Sequence, residues 1–134
     1  MNDVIANKIQ TIGRCIKRIE EEYQGDPRNL ENFTKQDAII LNIQRACEAS
    51  IDLAMHLVSE RNLGIPQNSR DAFDLLHRNK IIDQEMTTKM KAMVGFRNIA
   101  VHDYQAINLN IVRTIIEKHL EDFKRFADHV LKLQ

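Results

Sequence analysis

The chain has no tryptophan, only four glycines, two prolines and two cysteines, no net charge, and no long apolar run. Few glycines and prolines among recurrent Leu, Ile, Val and Met argue against a turn-rich β architecture and favour helices. No stretch approaches the roughly 18 to 20 apolar residues that a membrane span requires. The opening M-N-D-V-I-A-N-K lacks the basic-then-apolar layout of a signal peptide, so a soluble, cytoplasmic protein with no membrane contact is expected. Cys15 and Cys47 stand far apart with no C-x-x-C spacing, the pattern of reduced, helix-embedded thiols without a catalytic role. Nineteen basic and nineteen acidic residues cancel. A strongly basic nucleic-acid-binding domain is thereby excluded, and any phosphate-binding site must be local.

At 134 residues the chain can bury one core but not two, so residues 1–134 are expected to form a single domain. Helix one is predicted from about Asp3 to Tyr23, because Ile5, Ile9, Ile12, Ile16, Ile19 and Tyr23 alternate by four and three, the mark of a bundle seam. The G-D-P-R-N stretch stops it, and residues 25–33 read as a connection. Thr34, with Asp37 three residues on, is the expected cap of helix two, whose broad stripe of Ile40, Ile43, Cys47, Ile51, Ala54 and Val58 predicts burial on more than one side. It ends at N-L-G-I-P, Asn62 to Pro66. Ser69 is the expected cap of a short third helix holding Phe73 and Leu76, and Asp83 with Met86 opens a fourth containing Met90, Met93 and Val94. Asn108 caps a last long helix with Val112, Ile116, His119, Phe123, Phe126 and Val130 inward. The fold class is all-α, an antiparallel bundle of four to five helices.

At the end of the fourth helix stands F-R-N-I-A-V-H-D-Y, residues 96–104. At about 100° per residue, Arg97, Val101, Asn98 and His102 fall at roughly 0°, 40°, 100° and 140°, so the three polar groups share one side. Arg97 offers a permanent cation with planar donors suited to phosphate, Asn98 an amide, and His102 a group that exchanges protons near neutral pH. These are the parts needed to bind and cleave a phosphodiester. A plainer reading competes: Arg and His near a helix C-terminus can simply satisfy the last carbonyls and the helix dipole. Tyr104 by itself reads as a half-buried packing residue with an unreactive phenol.

R-N-I-A-V-H-D-Y resembles the R-x-x-x-x-H-x-Y signature of the HEPN superfamily, specifically the HepT-like toxins of bacterial and archaeal toxin–antitoxin pairs. A HEPN domain is an all-α bundle of about this length with its motif late in the chain, as here. The resemblance implies a homodimeric, metal-independent endoribonuclease, the toxin of a type VII-like system, with two motifs facing each other across a shared cleft. It implies that Arg97 and His102 are catalytic, that Asn98 supports them, and that no cofactor is needed. The implied reaction is attack by a ribose 2′-OH on the adjacent phosphorus, giving a 2′,3′-cyclic phosphate. RNA, whether tRNA or mRNA, is the implied substrate. The second implied partner is an antitoxin of the MNT nucleotidyltransferase type, which transfers AMP to the motif tyrosine, Tyr104.

Other chemistries are weaker. Glu48, Asp52 and His56 lie at i, i+4 and i+8 on helix two and form the best metal-ligand candidate, but a charged helix edge explains them as well. His119 and His129 diverge by about 80° around their helix and make a poor ligand pair. Lys80, Lys89, Lys91 and Arg113 lie near the motif in sequence and read as surface charges. Met86, Met90 and Met93 can be core or a dimer surface. Two other function classes remain open, a non-catalytic nucleotide- or partner-binding helical module and a purely structural dimerising bundle.

Overall fold

The computed structural model describes residues 2–134, and every regular element among them is helical. α1 (Asp3–Tyr23) has the bounds that its isoleucine spacing predicts. Asn2 caps it by accepting from the Val4 amide at 2.7 Å. Gln24 (φ 53°) and Gly25 (φ 67°) then turn left-handed and stop it. The connection contains a 3₁₀ turn, Pro27–Glu31, capped by Asp26.

α2 (Phe33–Glu60) is capped by Asn32, which accepts from Lys35 N–H at 3.0 Å, and not by Thr34. The amide side chain of Asn32 already satisfies that orphan donor from an extended backbone, so Thr34 falls inside the first turn. Asp37, the expected capping partner of Thr34, instead accepts from the Tyr104 hydroxyl. α2 packs against α1 and three other helices, which is why its stripe is broad. Ile39, Ile40, Ile43, Leu53, Ala54 and Leu57 are at most 1% exposed. Ser50, buried with them, donates to the Ala46 carbonyl at 2.8 Å.

α3 (Ser69–Arg78) begins one residue earlier than expected: Asn68 is the cap, accepting from Asp71 N–H at 2.9 Å, and Ser69 is the first helical residue. Phe73 anchors α3 by meeting Phe126 edge to face, with ring centroids 5.5 Å apart. α4 (Gln84–His102) is capped by Asp83, which accepts from Met86 N–H at 2.8 Å, as predicted. Met90 and Met93 are buried and Met86 packs on the core, so the methionines are core residues.

After a 3₁₀ turn at Tyr104–Ala106, Asn108 caps α5 (Leu109–Thr114) as expected. The last helix is not uniform: a π turn, Ile115–His119, separates α5 from α6 (Leu120–Lys132). The wide turn holds an extra residue and passes the inward position from His119, which the spacing placed in the core, to Leu120. His119 instead stands half-exposed and engages buried Asp122 at 2.8 Å. Counting α5 and α6 as one interrupted rod gives five rods. α1, α2, α4 and α6 surround the core, and α3 braces α2 against α4. No helix among the described residues is long and apolar enough to cross a membrane.

Candidate active site at the end of α4

α4 must serve the core and the site at once. Ala100 and Phe96 face inward, while Arg97 and Asn98 sit half-buried at its flank and His102 is exposed in its last turn. Arg97 does not spend its guanidinium on terminal carbonyls. Its Nε donates to Asn98 Oδ1 at 3.0 Å, and its Nη2 donates across to Ser69 Oγ, on α3, at 3.1 Å. The Ile99 carbonyl takes the Asp103 N–H at 2.8 Å. The His102 ring makes no hydrogen bond among the described residues. The capping explanation therefore fails for this arginine, which is held by two neutral oxygens and keeps its charge for a ligand.

Arg97 and Asn98 line a polar cleft of about 590 Å³ between α3 and α4, together with Ser69, Arg70, Asp74 and Lys91. Lys91 is neutralised there by Asp74 at 3.0 Å. Asp71, at the same rim, accepts from the Gln67 amide and lies 3.7 Å from Arg78. Behind the site on α2 is Cys47. Burial pushes its thiol far up against the opposing pull of the Arg97 charge, so it stays protonated.

Tyr104 is 40% exposed in the turn just past α4, and its hydroxyl donates to Asp37 Oδ1 on α2. Desolvation, followed by that hydrogen bond and the Asp37 charge, pushes the phenol up to about 12. As an isolated nucleophile it is inert at neutral pH. Arg97, Asn98 and Tyr104 thus gather at one end of the bundle by way of α4, with α3 and α2 supplying their partners.

The remaining candidates disperse. Asp52 pairs with Lys8 and His56 with Glu60, while Glu48 accepts from Gln44. His129 meets the Ile81 carbonyl, far from the His119–Asp122 pair. No group of three or more His, Cys, Asp or Glu close enough to hold a metal ion occurs among the described residues. Lys89 pairs with Glu85 and Arg113 with Glu117. Sequence reasoning missed Asp37 and Ser69, both of which looked like cap residues, and Arg70.

An all-helical bundle carrying a helix-end Arg-Asn-x-x-x-His set with a tyrosine two residues on defines a class, the HEPN fold. Within it, the chain belongs to the HepT-like family: the family's sequence model, described as Ribonuclease HepT-like, matches residues 8–130. The chain is 55% identical, over 128 residues and 96% of both chains, to the mRNA nuclease HepT of Shewanella oneidensis. It is 24% identical over 95% of its length, and 87% of the relative's, to the tRNA nuclease HepT of Aphanizomenon flos-aquae. Its structure superimposes with a TM-score of 0.92 on a tri-AMPylated Shewanella oneidensis HEPN toxin in complex with an MNT antitoxin, covering 100% of both chains at 55% identity.

Proposed function

We propose that the protein is the toxin of a toxin–antitoxin pair, an endoribonuclease that acts in the cytoplasm as one helical domain and is silenced by AMP transfer from an MNT-type antitoxin. The observation that carries this reading is Arg97. A guanidinium fixed by Asn98 and Ser69 beside a polar cleft, about one and a half turns from an exposed His102, is suited to a phosphodiester and to proton transfer at its oxygens.

Arg97 stabilises charge on the phosphoryl oxygens as a ribose 2′-OH attacks phosphorus, and Asn98 holds the guanidinium in place. His102 moves a proton. Attack and departure need a base and an acid, and each chain carries one histidine at the site, so the second comes from a facing copy in a homodimer. The reaction draws on side chains alone and needs no metal or cofactor. DNA lacks the attacking hydroxyl and is not cut. Identity of 55% to an mRNA nuclease, against 24% to a tRNA nuclease, favours mRNA as substrate.

Tyr104 is the AMP acceptor. Its phenol is accessible, and the raised pKa means that it must be activated within the antitoxin complex. A phosphodiester two residues from His102 fills the site and competes for Arg97.

Incubation with end-labelled mRNA and tRNA in excess EDTA, beside Arg97→Ala and His102→Ala, tests the reading. Cleavage by the wild type alone, leaving cyclic phosphate ends, is expected. Equal cleavage by all three rejects the site, and binding without scission leaves a nucleotide- or partner-binding module.

A further inference from the structure

The cleft holds a second arginine whose charge has no partner. Arg70, in the first turn of α3, is exposed, and its one hydrogen bond is a marginal contact from Nε to the Lys91 carbonyl at 3.5 Å. No carboxylate pairs with it among the described residues. The nearby acids are engaged: Asp74 by Lys91, Asp71 by the Gln67 amide and by Arg78.

What seats Arg70 is a glycine in the middle of α4. A helix-interior glycine costs about 1 kcal/mol relative to alanine, and nothing in the α4 backbone requires one, since Gly95 has no positive φ. A Cβ at Gly95 would lie 2.8 Å from Arg70 Nη2, and beyond the adjoining α4 backbone and Gly95's chain neighbours it would meet nothing else within 4 Å. The space left by the missing side chain is therefore filled by the Arg70 guanidinium alone.

Gly95 and His102 are about 20° apart around α4 and about 10 Å apart along it, with Asn98 between them. That is too far for Arg70 to share the phosphate at His102, and the right side of the helix for the next part of the same strand. We propose that Arg70, seated on Gly95, is a second phosphate site that holds a backbone phosphate of the RNA next to the one cleaved at Arg97 and His102. This rests on the ribonuclease reading above and assigns the direction of the strand, along α4 from His102 toward Lys91.

The test is binding of a short 2′-O-methyl oligoribonucleotide, which lacks the attacking hydroxyl, as a function of salt, together with steady-state cleavage of the unmodified RNA. Arg70→Ala is expected to weaken binding about three- to tenfold and to reduce the salt slope by about 0.7, one phosphate's worth on a single strand. KM rises and kcat stays. Gly95→Ala displaces the same guanidinium and is expected to weaken binding and lower the salt slope in the wild type but to do neither in the Arg70→Ala background; a steric clash alone couples the two residues without moving the salt slope. Cleavage of a dinucleotide, whose one phosphate is the scissile one, is expected to be indifferent to Arg70→Ala. Unchanged affinity and salt slope in Arg70→Ala, or an equal Gly95→Ala effect in both backgrounds, overturns the second site while Arg97→Ala still abolishes cleavage. Full cleavage by Arg97→Ala overturns the ribonuclease reading and this inference together.

Discussion

Replacing Ser69 by alanine removes the oxygen that holds Arg97 Nη2 at 3.1 Å and leaves Asn98 as the guanidinium's remaining anchor. A hydrogen bond to a charged group contributes about 1.5–3 kcal/mol when buried. Ser69 and Arg97 are each half-buried, so water takes up part of the loss and about 1–2 kcal/mol is expected. At 1.36 kcal/mol per decade, that is a fall in kcat/KM of about 5- to 30-fold, through a mispositioned Arg97. Stability should hardly move, because Asn68 and not Ser69 caps α3. Asn68→Ala gives the opposite pattern: about 1 kcal/mol of stability, or about 3–5 °C in melting temperature for a domain of this size, with a smaller loss of activity than Ser69→Ala. Paired thermal melts and cleavage assays read both variants. If Ser69→Ala lowers the melting temperature by the cap's worth and cleaves at the wild-type rate, Ser69 is a cap after all and the two-helix account of Arg97 is wrong.

Tyr104→Phe is expected to abolish AMP incorporation by the antitoxin and to keep RNA cleavage, so the modified residue and the reacting residues separate in one variant. Asp37→Asn removes a negative charge from the phenol and should bring Tyr104 down from about 12 while leaving it above the ordinary 10, because desolvation, the largest cause, persists; ultraviolet titration in a Tyr23→Phe background checks this. Tyr23 and Tyr104 both have folded-state pKa values raised to about 12. Their contribution to stability is therefore complete below about pH 10 and is lost as pH rises from 10 to 12, visible as a steepening fall in denaturation midpoint that Tyr23→Phe reduces. Phe73→Ala should cost about 3–5 kcal/mol, since Phe73 is 0% exposed, and should lower activity beyond the loss of folded protein by unseating Ser69 and Arg70.

The helical class was legible because the isoleucines of α1 and the apolar spacings of α2 and α6 record the burial that forms them. The motif residues could be placed on one helix flank for the same reason. What one-dimensional spacing could not convey was partnership across helices. Ser69 and Asp37 each carry a residue type that caps helices, and each sits where a cap is plausible, yet a better-placed asparagine, Asn68 or Asn32, takes that role one or more residues earlier. The displaced side chains then serve Arg97 and Tyr104. Spacing alone places His119 inward because it assumes 3.6 residues per turn throughout, and the π turn at Ile115–His119 breaks that assumption. Gly95 was the one visible sign of Arg70, a helix-interior glycine with no turn to explain it.

The bracing helix α3 has a consequence for how the protein fails. With ten residues it is too short to persist in water unaided, and it follows a loop whose Ile65 is 83% exposed. It exists only while Phe73 and Leu76 stay docked. Release of such a unit is a sub-global opening, with a free energy below that of unfolding the bundle. Catalytic competence should therefore have its own melting point, lower than that of the four surrounding helices. Hydrogen exchange along residues 69–78 would then mark the temperature at which the chain, still folded, stops cutting.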